Sequence, residues 1–265
     1  MKKDWSDEFV YHWKYYKSPA RPSISDLRFI KKNIKSKGKN AKVLILGSTP
    51  EYRNMCGQLK LSVTLIDFSK KNYQYLNREV KNKPKEKFVQ GNWLKTVLDE
   101  KFDIILADNI VNMFKKKDIN KLFSNVSKML KDDGYFITRT YFRDKGEKYT
   151  GDNSIKEYRR EYPKSGVCSG TIRNLILASY DFRKDYTMLK DAWKVILNLY
   201  NKKLISNKEL KDYENLSLNR DFLFFMPLRS DLEKKFFKFF KTKEIFYGNE
   251  KHLKNKLPLY VLIKK

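Results

Sequence analysis

A single glycine closes a short apolar run and begins what reads as a helix. Residues 43–46 are Val-Leu-Ile-Leu, and Gly47, Ser48, Thr49 and Pro50 follow. Glycine lets the backbone turn tightly and lets a ligand approach without a Cβ atom in the way. Thr49 is a good helix N-cap, and Pro50 has its φ already set for the first helical position. The free N–H groups of such a turn would face the carboxyl edge of a sheet, where ligands bind in open α/β folds. One glycine is neither a full dinucleotide-binding motif nor a Walker motif, so an ordinary tight turn is an equally good interpretation of this stretch alone.

An acidic residue at the end of the second apolar run strengthens the case for a ligand. Asp67 lies twenty residues after Gly47. A carboxylate at that spacing can accept hydrogen bonds from both hydroxyls of a ribose. The alternative is that Asp67 caps the helix that begins near Ser69. Taken together, the turn and the acid favour a ligand that contains a nucleoside.

Polar residues also follow the third and fourth apolar runs. Asn92 and Trp93 come after the third run, and Asp108 and Asn109 end the fourth. The carboxamide of Asn92 can pair with the edge of an adenine, and Trp93 can cover its face, because aromatic rings stack on bases. The fourth run is predicted to lie beside the first, at the point where strand order reverses and ligands bind.

The elements that would position these residues alternate along the chain. Short continuous apolar runs are typical of strands buried on both faces, and segments with helical spacing separate them. Strands are predicted at residues 42–47, 61–69, 85–93, 102–110, 134–142, 220–227 and 257–265. Helices are predicted at 71–82, at 118–134 with Gly134 as C-cap, and at 171–182, 186–203 and 231–241, with a loop at 144–158. The alternation predicts an α/β fold with a parallel sheet covered on both faces by helices.

Composition shifts divide the chain into predicted parts. A Lys/Gly-rich linker ends near Asn40, so residues 1–40 are predicted to form an N-terminal helical and aromatic segment, and residues 41–265 the main domain. Strand signals are missing from about 145 to 216, which predicts a helical insertion between the fifth and sixth strands, placed to cap a site. At 265 residues the chain is long enough to bury a substantial core.

The four strand-end motifs resemble those of the class I S-adenosylmethionine-dependent methyltransferases, over roughly residues 41–142. The glycine turn, the acid ending the second strand, the polar pair after the third and the stretch Phe-Asp-Ile-Ile-Leu-Ala-Asp-Asn all match that family. The resemblance implies a seven-stranded Rossmann-like sheet and S-adenosyl-L-methionine as cofactor. It implies cofactor contacts from Gly47, Ser48, Thr49, Asp67, Phe68, Asn92, Trp93, Asp108, Asn109 and Arg21. Two departures from the family pattern are the reduced glycine motif and Asn92 in place of an acid.

The N-terminal segment resembles one bacterial and archaeal subgroup of these enzymes, whose members often have no assigned substrate. The residues concerned precede a Leu-Gly-x-Thr-Pro-Glu turn and are Trp5, Trp13, Pro19, Arg21, Pro22 and Ser23. The resemblance implies that this segment is a lid over the site. We therefore expect Tyr11, Trp13, Arg139 and Tyr141 to face the methyl acceptor.

Methyl transfer from a sulfonium is an in-line displacement, in which much of the protein's contribution is to hold the nucleophile and the methyl group in line. Such a site needs no metal, and the sequence has no cluster of metal ligands. His12 is a weak candidate for a general base. The alternative is that His12 is an ordinary polar residue within an aromatic packing stripe. The other histidine is His252.

Several acceptors are disfavoured by the residues after the fourth strand. Methylation of an exocyclic base amine usually goes with an Asn/Asp-Pro-Pro-Tyr stretch, and the sequence has Asp108-Asn109-Ile110-Val111 there. Methylation of cytosine carbon five needs a cysteine in the same region, but Cys56 and Cys168 lie elsewhere and are better interpreted as buried filler. The expected acceptor is a small molecule with an oxygen, nitrogen or carboxylate nucleophile.

The charge of the chain keeps a nucleic-acid alternative open. The sequence has 58 Lys and Arg against 31 Asp and Glu, a formal charge of +27. The lysines are spread along the chain, without an arginine-rich or aromatic-interleaved pattern, so an RNA-binding protein or RNA methyltransferase is the second hypothesis. No apolar run is long enough to span a membrane and no secretory signal precedes the domain, so a cytoplasmic protein is expected. The sequence leaves the oligomeric state open.

Overall fold

The computed structural model describes residues 11–163, 166–216, 218–249, 253 and 255–265, and within them it contains one large sheet. Its seven strands are β1 Val43–Leu46, β2 Ser62–Asp67, β3 Lys85–Gln90, β4 Phe102–Asp108, β5 Leu130–Arg139, β8 Phe240–Tyr247 and β9 Pro258–Lys264. Two short strands, β6 Thr187–Met188 and β7 Leu223–Phe224, form a separate antiparallel pair.

Helices precede, connect and follow these strands. The α-helices are α1 Ile24–Lys35, α2 Pro50–Gln58, α3 Lys70–Leu76, α4 Ile119–Met129, α5 Gly151–Glu161, α6 Val167–Ala178, α7 Leu189–Asn201, α8 Asn207–Glu214 and α9 Arg229–Phe236. Short 3₁₀ helices occur at Trp13–Tyr15, Asn77–Glu79, Ile110–Met113 and Lys116–Asp118.

The strand order of the large sheet is β3-β2-β1-β4-β5-β9-β8. β1 pairs in parallel with β2 on one side and with β4 on the other, and β9 runs antiparallel between β5 and β8. The chain order reverses between β1 and β4, so the crevice expected in such a sheet opens at the carboxyl ends of these two strands. The predicted Rossmann-like sheet of seven strands is confirmed.

β1 shows why the sheet is covered on both sides. Successive side chains of a strand point to opposite faces, and all four residues of β1 are buried. Leu44 and Leu46 pack with α4 and α9 on one face. Val43 and Ile45 pack with α1 and α2 on the other. An uninterrupted apolar run is therefore what this position in the sheet requires.

The prediction for the sixth strand of the large sheet was wrong. Residues 220–227 were expected to join that sheet, but only Leu223–Phe224 is a strand, and it pairs with Thr187–Met188. The strand that joins the sheet is β8, which pairs with β9 around a bulge between Thr242 and Glu244. β8 is an edge strand with two exposed lysines, Lys241 and Lys243, so its pattern is not that of a continuous apolar run.

Two local predictions were also wrong. Gly134 does not cap a helix, because α4 ends at Met129 with Leu130 in an extended conformation, and Gly134 lies within β5. The predicted loop at 144–158 contains the start of α5, whose N-cap Thr150 accepts a hydrogen bond from the backbone N–H of Asn153. Because helix α5 has few apolar residues, its sequence shows little of the apolar spacing by which a helix is recognised.

Helices α5 to α8 lie between β5 and β8, where a helical insertion was predicted, and they have a hydrophobic core of their own. Each helix contributes at least one fully buried side chain to it: Ile155 from α5, Leu175 from α6, Ile196 from α7 and Tyr213 from α8. The insertion is therefore a packed unit that must be attached to the sheet by contacts at its borders.

One attachment is the buried side chain of Asn112, in the 3₁₀ turn after β4. Its Nδ2 group donates to the carbonyl oxygens of Tyr141 at 3.0 Å and Phe225 at 2.7 Å. Its Oδ1 atom accepts from the N–H of Tyr141 at 3.0 Å, and its carbonyl oxygen accepts from the N–H of Phe225 at 2.8 Å. Asn112 thus joins the chain leaving β5 to the chain returning from the insertion.

A second attachment is the ion pair between Arg173 of α6 and Glu147. The Arg173 guanidinium donates to both carboxylate oxygens of Glu147, at 3.0 and 2.8 Å, and also to the carbonyl oxygen of Phe142. Burial opposes the charge of the carboxylate, but Arg173 and Lys256 lower the pKa of Glu147 to about 2. The insertion is consequently held by charge as well as by apolar packing.

We expect Asn112→Ala to lower the free energy of unfolding by about 2–4 kcal/mol, because it leaves buried backbone groups of Tyr141 and Phe225 without partners. Urea unfolding measures this. Asn120→Ala is the control, because Asn120 accepts only one long hydrogen bond, of 3.4 Å, from Lys235. A loss of less than about 1 kcal/mol for Asn112→Ala would contradict the proposed attachment.

We expect Glu147→Gln to reduce stability at pH 7 by about 1–2 kcal/mol, a value discounted for partial exposure of the pair. The folded pKa lies below the unfolded one, so this contribution is present above the unfolded pKa and is lost as pH falls from about 4.5 towards about 2. Urea unfolding of both proteins at pH 7 and pH 3 should show the difference shrinking in acid. Glu157→Gln, at an exposed position of α5, should show no such trend.

Candidate functional site

The strand-to-helix turn after β1 has the predicted geometry. Gly47 has a φ of +106°, a left-handed conformation that favours glycine, and its N–H donates to the carbonyl oxygen of Ile66 at 2.8 Å. A Cβ atom on Gly47 would come no closer than 3.8 Å to Trp93, so the backbone conformation and not space accounts for the glycine. Thr49 occupies the N-cap position without a side-chain capping bond, and Pro50 begins α2.

Asp67 lies beside this turn, as predicted. The Ser48 hydroxyl donates to Asp67 Oδ2 at 2.6 Å, and the Ser69 N–H donates to Oδ1 at 3.1 Å. Burial raises the pKa of Asp67, and the bond from Ser48 works in the opposite direction. Ser69 is the N-cap of α3, so Asp67 supports the start of that helix without being its cap.

Gly47 and Asp67 line the same cavity, which we call the Gly47 cavity. Most of the predicted cofactor residues line it: Gly47, Ser48, Thr49, Asp67, Trp93, Asp108 and Asn109. The structure therefore brings together residues from the ends of β1, β2 and β4 and from the loop after β3.

Of the predicted cofactor residues Phe68, Asn92 and Trp93, only Trp93 lines the Gly47 cavity. Trp93 forms part of the cavity wall, and its Nε1 group donates to the Ile66 carbonyl oxygen at 2.7 Å. Phe68 is outside the lining and packs edge-on against Trp93, with ring centroids 4.9 Å apart. Asn92 is also outside the lining, and its Oδ1 atom accepts from the Leu94 N–H at 2.8 Å. The expected contact of Asn92 with an adenine edge is not supported, because its carboxamide oxygen stabilises a local turn.

Arg139 was predicted to face the methyl acceptor, but it lines neither the Gly47 cavity nor the neighbouring cavity at Tyr141. Its side chain is fully buried and donates to both carboxylate oxygens of Asp108, at 2.7 and 3.0 Å. It also donates to Asp26 Oδ2 and to the Arg21 carbonyl oxygen. Burial opposes the guanidinium charge, but Asp108 and Asp26 raise the pKa of Arg139 above its usual value. Arg139 therefore ties the N-terminal segment to the end of β4.

Asn109 occupies a distinctive position at the end of β4. It is a buried residue in the left-handed conformation, with φ of 52° and ψ of 21°, and its N–H donates to the Arg139 carbonyl oxygen at 3.0 Å. Its Oδ1 atom is buried and has no hydrogen-bond partner in the protein. A buried polar atom without a partner is costly, which points to a partner supplied by a ligand.

A second cavity lies between the sheet edge and the insertion; we call it the Tyr141 cavity. Its walls are mainly apolar and include Tyr141, Ile172, Ile176, Phe224 and Met226. Tyr141 was predicted to face the acceptor, and its backbone is fixed by Asn112. Ala20, Asn109 and Met113 line both cavities, so the two are neighbours.

The N-terminal segment reaches the site through fewer residues than expected. Trp13 lines the Gly47 cavity. Tyr11 is exposed and packs edge-on against Tyr75, and Arg21 pairs with Glu51 at 3.4 Å, so neither lines either of the two cavities. His12 is outside both linings too, which removes it as a candidate general base. Trp5 and His252 lie outside the described residues.

Asn72 was not predicted from the sequence. It is on α3 and lines the Gly47 cavity, and its buried Oδ1 atom has no hydrogen-bond partner in the protein. An asparagine in the first turn of a helix usually suggests only local capping. Its position soon after Asp67 was the one signal that the sequence offered.

The described part of the chain gives little support for a metal site or for a cysteine nucleophile. Those residues contain no group of His, Cys, Asp and Glu side chains that could hold a metal ion. Burial raises the pKa of Cys56 to about 12, which makes it a poor nucleophile. Among the described residues, no helix has the length and apolar character needed to cross a membrane.

Comparison with known proteins finds one family match. Residues 47–138 match the model of a family described as a methyltransferase domain. This stretch begins at the glycine turn and contains the cavity residues Asp67 and Asp108 at the ends of β2 and β4. No curated protein matches the chain.

Solved structures share the overall architecture. A proposed Zn-dependent alcohol dehydrogenase from Rhodobacter sphaeroides is 14% identical with a TM-score of 0.62, covering 99% of this chain and 100% of that one. The CcbJ methyltransferase from Streptomyces caelestis is 10% identical with a TM-score of 0.61, covering 97% of this chain and 96% of that one. The N-methyltransferase NodS from Bradyrhizobium japonicum WM9, solved with S-adenosyl-L-homocysteine, is 10% identical with a TM-score of 0.53, covering 98% and 99%. At these identities the likeness shows the fold alone. It confirms the predicted Rossmann-like fold, within which residues 47–138 match the methyltransferase family model.

Proposed function

We propose that the protein transfers the methyl group of S-adenosyl-L-methionine to an oxygen, nitrogen or carboxylate of a small molecule. The observation that carries this proposal is the juxtaposition of two unlike cavities. The Gly47 cavity has the polar strand-end residues that suit a nucleoside, and the Tyr141 cavity next to it is mainly apolar. They meet at Asn109, where a methyl group would pass from one ligand to the other.

The residues of the Gly47 cavity fit the cofactor. Asp67 would accept hydrogen bonds from the ribose hydroxyls, and the turn at Gly47 to Thr49 offers backbone N–H groups for the amino-acid end. The partnerless Oδ1 atom of Asn72 offers a further acceptor at the cavity wall. Trp93 supplies an aromatic surface, but no side-chain donor, because its indole N–H is already bonded.

The cofactor would supply an activated methyl group. The protein's contribution is to hold the acceptor next to that group. The Tyr141 cavity would exclude water and hold the acceptor, and its neighbour would hold the sulfonium, so that the two reactants are fixed relative to each other. The attachments at Asn112 and Arg173 fix the insertion that forms one wall of the Tyr141 cavity. This function needs no metal and no strong base.

The N-terminal segment supports an assignment to the subgroup with the W…P-x-R-P-S motif. Trp13 lines the Gly47 cavity, and the ion pair of Arg21 with Glu51 joins the motif to the first turn of α2. We infer that the described residues before α1, which include Trp13 and Ala20 of the cavity wall, act as a cover for the cofactor. Transfer to RNA is the second candidate, favoured by the charge of +27. A steep fall of affinity with salt would mark RNA binding.

We expect S-adenosyl-L-homocysteine to raise the melting temperature, because a ligand that binds the folded state stabilises it. Asp67→Ala should weaken binding by about 1–3 kcal/mol, or roughly 5–150-fold in Kd, through loss of charge-assisted hydrogen bonds. Isothermal titration calorimetry of the unchanged protein and of Asp67→Ala measures the Kd for S-adenosyl-L-homocysteine.

The control for this measurement is Asp99→Ala, at an exposed acid outside both cavities, which should bind like the unchanged protein. No thermal shift at millimolar ligand would contradict the proposed cofactor. Unchanged binding in Asp67→Ala would contradict the ribose contact alone.

A further inference from the structure

The chemical character of the Tyr141 cavity limits the classes of methyl acceptor that it can hold. Apart from Asn109, its described lining has few polar groups: the tyrosines Tyr16 and Tyr141 and the guanidinium groups of Arg173 and Arg220. That lining includes no carboxylate and no histidine. Removal of a proton from a hydroxyl nucleophile before attack would require such a base.

The charged groups near the cavity are already engaged. Arg173 is bound by Glu147 and by the Phe142 carbonyl oxygen. Arg220 lies beside Tyr16, where burial raises the pKa of the Tyr16 hydroxyl and Arg220 works against that rise. The acids of the neighbouring cavity are engaged as well, Asp67 by Ser48 and Asp108 by Arg139. An ammonium group would therefore meet apolar walls and two cations, which disfavour its charge and favour the neutral amine.

Asn109 supplies an oriented acceptor between the cavities. Its backbone is fixed by the bond from its N–H to the Arg139 carbonyl oxygen, and its buried Oδ1 atom has no partner. A carboxamide oxygen accepts an N–H hydrogen bond but does not remove a proton at neutral pH. It can orient an amine whose lone pair then points away from it.

Resting on the proposed function, we propose that the acceptor is a neutral amine on an apolar body and that Asn109 Oδ1 accepts a hydrogen bond from the reacting nitrogen. The nitrogen lone pair forms a bond to the methyl carbon, and the carbon–sulfur bond of the donor breaks with its electron pair going to sulfur. The product ammonium then releases a proton to water. No base within the cavity is required at any point.

The experiment follows transfer of a radiolabelled methyl group from S-adenosyl-L-methionine to matched probes. 2-Phenylethylamine and N-methyl-2-phenylethylamine are compared with 2-phenylethanol, 3-phenylpropanoate, ethanolamine and total RNA. We expect transfer to the apolar amines at least tenfold faster than to the alcohol, the carboxylate, the polar amine or RNA. The rate at low amine concentration should rise with pH as the free amine becomes available.

Asn109→Gly tests the contact, because glycine keeps the left-handed backbone and removes the carboxamide. We expect kcat with the amine to fall at least 30-fold, with less than a threefold change in Kd for S-adenosyl-L-homocysteine. Asn109→Asp, which keeps an oxygen acceptor, should retain more activity than Asn109→Gly. Phe224→Ala should raise KM for the apolar amine at least fivefold, whereas Phe237→Ala, at an exposed position outside both cavities, should not.

The outcomes separate this inference from the proposed function. Binding of S-adenosyl-L-homocysteine with transfer only to the alcohol, the carboxylate or RNA, or to none of the probes, overturns the amine assignment and leaves cofactor binding intact. Full activity of Asn109→Gly overturns the role of its carboxamide. If the protein does not bind S-adenosyl-L-homocysteine, the proposed function itself is overturned.

Discussion

The buried hydrogen bonds of Asn112 are the constraint on which the candidate site depends. This side chain is completely buried and joins the turn after β4, the chain leaving β5 and the chain that returns from the insertion. Apolar packing alone is not directional, so it would allow the insertion to slide on the sheet edge, whereas hydrogen bonds to fixed backbone groups define one position. The Tyr141 cavity exists because the insertion is held at that position and not pressed flat against the sheet.

Buried arginines, like Asn112, join separate segments of this chain, which has a large excess of positive charge. Arg139 joins β5 to Asp108 and Asp26, Arg53 pairs with Glu86 at 2.7 Å, and Arg173 pairs with Glu147. Each guanidinium is planar and has several donors, so it can join elements that come from distant parts of the sequence. Each of these buried cations is paired with a carboxylate of the protein itself, which means that the net charge of +27 overstates the charge available to a partner at these sites.

The different chemical characters of the two cavities follow from the elements that line them. The ends of β1, β2 and β4 place a glycine turn, a carboxylate and a left-handed asparagine around one hollow, because parallel strands end at a common edge. The insertion adds an apolar wall on the other side of Asn109. A polar site for a nucleoside and an apolar site for an acceptor are thereby placed next to each other, which is the arrangement that a group transfer requires.

The sequence alone determined six of the seven strands of the sheet and the polar residues at its edge, because both depend on short-range patterns. A continuous apolar run identifies a strand buried on both faces, and a glycine or an acid at its end lies at the carboxyl edge whatever the remaining contacts are. Tertiary structure decided the rest. Arg139 looked like a ligand for an anion until its two carboxylate partners were seen, and one of these, Asp26, lies more than a hundred residues away. The edge strand β8 and the role of Asn112 were equally hidden, since an exposed strand lacks the apolar signal and a buried asparagine is recognised only by its partners. Long-range pairing of polar groups leaves no local pattern, so only the folded chain distinguishes a structural polar residue from one that faces a ligand.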